Sequence, residues 1–225
     1  MRTRTTTATA TAAAALTTAV ALLLTGCGGG SDSDDSGKDE IAGADTGASA
    51  SASPSPSPSA SEDGVDRPEI KLPKDIENVF EGGSTGDAKK DAVLADNERR
   101  VNSIDEAIVV DAEKHPALEF YSKDDALLSA ATYIKSFYDN DRSFTGKTRY
   151  YEREVTFAKD GSATVTYCMD STDTYPKDRK TGKVDRSVKA SPNDYVFYNT
   201  RLEKNTEGVW QTTSVSSTEA AKRCM

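Results

Sequence analysis

The chain has 225 residues, 36% hydrophobic and 29% charged, with a formal net charge of -9 and a sequence pI near 4.8. No basic face is available to release counterions from a phosphate backbone, which argues against nucleic acid as a partner. One histidine and three cysteines without CxxC spacing argue against a metal centre, and the absence of a P-loop, a dinucleotide glycine fingerprint, a nucleophile elbow and an HExxH motif leaves no cofactor to expect.

Arg2 and Arg4 form a charged start, and residues 8–24 carry no charge and end in an apolar cluster closing on Leu22, Leu23 and Leu24. This reads as a secretory leader, diluted by threonines and too short to span a bilayer. Leu24-Thr25-Gly26-Cys27 then resembles the lipobox of bacterial lipoproteins, in which small residues let a peptidase present the cysteine thiol. The resemblance implies a signal peptide over 1–26, a diacylglycerol thioether on Cys27 and a protein held to the outer face of the cell membrane. Two acyl chains suffice for that, because each buried methylene contributes about 0.8 kcal/mol. An ordinary secreted protein with a chance cysteine at its cleavage site is the alternative.

Residues 27–67 turn to Gly, Ser, Asp, Ala and Pro, with Ile41 and Val65 the only large aliphatics and nine acidic residues against Lys38 and Arg67. Too little apolar surface is available to offset chain entropy, so a disordered tether is expected. Alternating Ser-Pro favours extended polyproline II, at roughly 3 Å per residue, and a reach of at most about 100 Å. O-glycosylation of this stretch is an open alternative to a plain spacer. Of the cysteines beyond it, Cys168 and Cys224 read as a disulfide in an oxidising exterior, with two free buried thiols the alternative.

Residues 68–225 are enough for one core. Residues 68–86 read as a loosely ordered lead-in, broken by Pro68, Pro73 and Gly82-Gly83. A helix starts near Asp87, with Leu94, Val101, Ile104 and Ile108 on one face, and Ser103-x-x-Glu106 suggests a capping box that kinks or divides it before His115-Pro116. Ser122-x-x-Asp125 opens a second helix whose inner face carries Leu127, Ala131, Ile134 and Tyr138. The period then becomes alternating: residues 151–157, a turn at Lys159-Asp160-Gly161, and residues 162–169 form a hairpin. A polar connection over 170–194 leads to strands at 195–202 and 209–215, the latter with Trp210. Helices followed by an antiparallel meander give an α+β class.

His115-Pro116-Ala117-Leu118 with Tyr121, the run Ala163 to Asp170, Thr181-Gly182-Lys183, the strand Gly208-Val209-Trp210-Gln211 and a terminal Cys224 together resemble the small actinobacterial, Streptomyces-type lipoproteins whose domains are similar to the nuclear transport factor 2-like, or SnoaL-like, cone. The resemblance implies N-terminal helices packed on a curved antiparallel sheet, and it supplies a fold more than a role.

His115 and Asp170, with Tyr167 and Trp210, are the candidate pocket residues, and Asp173 is a second carboxylate beside Asp170. Against each stands a plainer reading: a helix-end histidine meets the last carbonyls, aspartates favour turns, and aromatics at strand period fill a core. With no catalytic signature and with a tether, the expectation is a non-catalytic, membrane-anchored module that binds a cell-envelope protein or a small apolar ligand. The alternative is an enzyme of the same fold, with an Asp or His general base acting on a small apolar or cyclic substrate.

Overall fold

The computed structural model describes residues 63–110 and 116–225. The leader, Cys27, most of the tether and His115 lie outside the described residues. The rest is an α+β fold, with three helices packed on one face of a five-stranded sheet in the order β1-β2-β3-β4-β5.

The lead-in is built into this fold. Val65 and Ile70 pack on Ala117, Tyr121 and Val209, and the Lys71 amide donates to Glu106 Oε1 at 2.7 Å. Strand β1, Ile76–Phe80, then pairs in parallel with β2, Arg142–Phe157, setting Ile76 opposite Gly146 and Phe80 opposite Tyr150. The sequence reading missed β1 because it started the partner strand only at 151.

Helix α1, Ala88–Val109, begins where expected: the Asp87 carboxylate accepts from the amides of Lys89 and Lys90 at 2.9 and 3.2 Å. It runs unbroken through Ser103, whose hydroxyl donates back to the Arg100 carbonyl at 2.7 Å and therefore caps nothing. A short α2, Pro116–Tyr121, follows where only a break was anticipated, with proline at its first position. Helix α3 spans Asp124–Asp139, with Lys123 at its N-cap position. The expected cap Ser122 is drawn elsewhere, accepting from Arg100 Nε at 3.0 Å and bridging to Thr212 of β5. The buried face of α3 is Ala126, Ala130 and Ile134, with Leu127, Phe137 and Tyr138 half-buried beside it; of the expected inner face only Ala131 is exposed, as are Leu128 and Tyr133.

Strand β2 is far longer than its apolar end suggested, and β3, Ala163–Asp178, pairs with it antiparallel over its whole length. The first nine residues of the expected polar connection, 170–178, are therefore strand; Thr172, Thr174 and Tyr175 suit a pleated surface by shape rather than by hydropathy. Strands β4, Tyr195–Lys204, and β5, Trp210–Glu219, complete the meander. Register shifts at Lys147/Arg149, Tyr151/Glu154 and Arg201/Leu202 bend the strands around the helices. Gly146 has φ 114°, and a Cβ there would meet the Asp173 carbonyl oxygen at 2.1 Å, so no other residue fits where three strands meet.

The core forms where Val93, Leu94 and Val101 of α1 meet Tyr150, Val155, Val165, Tyr167, Leu202 and Trp210. On the opposite face of the sheet the Cys168–Cys224 disulfide closes a separation of 56 residues among Tyr151, Tyr195 and Phe197.

Between α1 and β5 lies Asp96, 1% exposed. Arg99 Nη1 donates to Asp96 Oδ1 at 2.9 Å, Arg67 Nη2 lies 3.5 Å from the same oxygen, and the Trp210 amide donates to Oδ2 at 2.9 Å. Burial pushes this carboxyl up, against the pull of the amide and both guanidiniums. Removing one member of a buried ion cluster strands the others, so Asp96→Ala should cost roughly 3–5 kcal/mol. Urea denaturation at pH 7 measures it; a loss below about 1 kcal/mol would mean that the cluster is not what pins α1 to β5.

Candidate functional site

The four sequence-picked pocket residues do not converge. Tyr167, 3% exposed, faces the helices. Asp170 is three residues further along the same strand and so faces the other way. Its Oδ2 accepts from Arg149 Nη1 at 3.3 Å and its Oδ1 from the Thr172 amide and hydroxyl at 3.0 and 2.7 Å, on the disulfide side of the sheet. Asp173 is exposed. Trp210 is core, 1% exposed, with its ring 5.9 Å from that of Phe157. His115 lies outside the described residues.

Around Tyr167 the sheet carries an aromatic row. Phe80 stacks on Tyr150 at 4.7 Å, Tyr150 meets Tyr167 edge-on at 6.0 Å, and Tyr167 stacks on Tyr198 at 5.0 Å, so one ring comes from each of β1 to β4. Over this row, α1 presents Asp105. Helical period puts Asp105 one turn beyond Val101 and beside Ile104, where the sequence reading saw only the apolar stripe.

Asp105 is half-buried. Its Oδ2 accepts from Asn78 Nδ2 at 2.7 Å, and the same amide nitrogen lies 2.8 Å from Asn102 Oδ1. Oδ1 has no protein donor among the described residues. Loss of solvation outweighs the Asn78 hydrogen bond and pushes the Asp105 carboxyl up to about 7.

Four tyrosines feel this carboxyl. Burial raises the hydroxyls of Tyr150, Tyr198, Tyr167 and Tyr133, and the negative charge of Asp105 adds to the rise in each. None of these hydroxyls donates to a protein acceptor among the described residues, and those of Tyr150, Tyr167 and Tyr198 are not sealed off from solvent. Tyr150 and Tyr167 are buried, 5% and 3% exposed, Tyr198 is half-buried and Tyr133 of α3 is exposed. Arg100 joins from the side, its positive charge acting on Tyr167 and Tyr198.

The arrangement offers a proton-transfer group that is half-ionised near neutrality, phenols free to donate, and aromatic faces on which a flat molecule can lie. Among the described residues no group of three or more His, Cys, Asp or Glu side chains could hold a metal ion, and no helix is long and apolar enough to cross a membrane.

No family model matches the chain, and no curated protein does. Solved structures similar to it include the intermembrane space region of the chloroplast protein ARC6, at 13% identity and TM-score 0.41, covering 59% of this chain and 97% of that one. A ketosteroid isomerase-like protein from Erwinia carotovora atroseptica SCRI1043 matches at 16% identity and TM-score 0.40, covering 60% and 98%. ActVI-ORFA from Streptomyces coelicolor matches at 11% identity and TM-score 0.40, covering 59% and 98%. At these identities and scores they say nothing of what this chain binds.

A carboxyl raised to about 7 keeps a proton in the folded state that an unfolded aspartate, near 3.9, has already released. Stability should therefore fall as pH rises from about 4 to about 7 and level off above. Asp105→Asn removes this dependence and should be more stable than wild type at pH 8 by roughly 1–3 kcal/mol, with the two nearly equal at pH 4. Urea denaturation across that range checks it; a variant less stable than wild type at pH 8 would refute an unfavourably buried charge.

Proposed function

We propose that the domain binds a small, flat, largely apolar molecule in the tyrosine-lined recess beneath α1, and that Asp105 moves a proton on it. What supports this reading is a half-buried carboxyl with one oxygen free of protein donors, which lost solvation pushes up to about 7, close to tyrosines whose hydroxyls have no protein partner. Such a group accepts a proton efficiently because its basicity matches the working pH. Where the proton leaves a carbon next to a carbonyl, charge develops on the carbonyl oxygen, and a phenol of Tyr150, Tyr167 or Tyr198 can donate to it. The second reading is a binding module that holds its ligand without turnover, favoured by the stalk-like composition of residues 27–67.

The flat bicyclic ketone 2-tetralone, incubated in deuterated buffer at pH 7.5, tests both. Wild type should accelerate loss of its α-proton signals in NMR, and Asp105→Asn should slow that loss by about a hundredfold or more while still binding the ketone. Binding without exchange in wild type selects the second reading; no binding of 2-tetralone or 2-naphthol by wild type sinks the recess as a ligand site.

The same proposal puts the domain outside the cell on a lipid at Cys27, supported by the lipobox-like Leu24-Thr25-Gly26-Cys27. Cys27→Ala should release the protein to the medium, read by fractionation and immunoblot. Unchanged membrane recovery of that variant would overturn the anchor.

A further inference from the structure

Arg99 of α1 and Arg153 and Arg149 of β2 each have an acidic partner. Arg99 binds Asp96 at 2.9 Å, Arg153 binds Glu98 at 2.6 Å, and Arg149 binds Glu81 at 2.8 Å and Asp170 at 3.3 Å. Arg100 has none among the described residues, although it is 5% exposed. Its Nε donates to Ser122 Oγ at 3.0 Å, and there its protein hydrogen bonds end. The two terminal amino groups have no protein acceptor, yet they are not sealed away. Arg100 is also close enough to Tyr167 and Tyr198 to interact with them electrostatically.

A buried guanidinium without a counter-charge is costly, and its fork of parallel donors matches a planar oxyanion. Resting on the binding reading above, we infer that Arg100 is the anchor for a carboxylate carried by the ligand, and that the ligand class is a small ring acid rather than a neutral molecule. The ring lies on the Tyr167–Tyr198 stack, its carboxylate toward Arg100 and its far side toward Asp105. Five residues of helix separate the two, about 7.5 Å along the axis and about 140° around it, so they leave α1 on different sides of its sheet-facing stripe. The neighbouring Arg99 cannot serve this purpose, because Asp96 occupies it.

Benzoate, its neutral isostere benzamide and 2-tetralone are titrated into the full domain by NMR at pH 7.5, following the Arg100 Nε and Tyr198 ring signals. Wild type should bind benzoate at least about tenfold more tightly than benzamide, the margin expected of a charge-assisted hydrogen-bond pair. In Arg100→Gln that ratio should fall to near one while 2-tetralone still binds, and Arg100→Lys should keep part of it. Equal affinity of wild type for benzoate and benzamide, or benzoate binding that leaves the Arg100 Nε signal unmoved, overturns the anchor and leaves the tyrosine recess standing. Failure of all three probes overturns both. Because the wild-type ratio is decisive by itself, the test survives a variant that does not fold.

Discussion

The buried carboxylate of Asp96 is the contact on which the architecture depends. It lies where the lead-in, α1 and β5 meet, and it takes hydrogen bonds from Arg99 and the main-chain nitrogen of Trp210 while Arg67 closes on it. Aliphatic contacts hold α1 over the sheet but slide easily along it; a desolvated ion cluster has one good geometry and several bad ones. The helix is thereby fixed both in height and in rotation. Asp105 sits nine residues further along the same rod, about 13 Å by helical rise, so its place is set by a contact remote from it.

Seen this way, α1 divides its polar residues between two tasks. Asp96, Arg99 and Glu98 are spent in pairs that hold elements together. Arg100 and Asp105 remain without full satisfaction, close to Tyr167 and Tyr198, whose hydroxyls also have no protein partner among the described residues. Buried polar groups in folded proteins are nearly always paired, and a cluster that is not marks a surface shaped for something other than the chain itself. Here the incomplete groups differ in sign and flank the same stacked rings, which gives the recess a direction as well as a shape.

The class of the fold was legible in the change from helical to alternating period after Gly146, and the start of α1 in Asp87. What escaped was pairing. Strand β1 has only Ile76, Val79 and Phe80 to announce it and exists because residues 146–150 lie beside it. The second half of β3 reads as polar loop because it is stabilised by a partner of equal length rather than by burial. The site was missed for a related reason. Tyr167 was picked out, but its supposed companion Asp170 fails on strand parity, which the sequence does contain once the strand is allowed to continue past Met169. Asp105 carries no motif; its significance comes from Asn78 and from tyrosines of three strands and α3, all distant in the chain. A signal was nevertheless present, since an aspartate within the i, i+3, i+4 stripe of an amphipathic helix is a charged residue aimed at a core.

The alternation of the strands gives the disulfide a further meaning. Tyr150 and Tyr151, Tyr167 and Cys168, and Tyr198 and Phe197 are adjacent pairs whose members serve opposite faces. A slip of β3 by one residue would turn Cys168 inward, out of reach of Cys224, and would send Tyr167 outward. The Cys168–Cys224 bond is therefore compatible with the register that turns Tyr167 toward the helices and incompatible with the register one residue away.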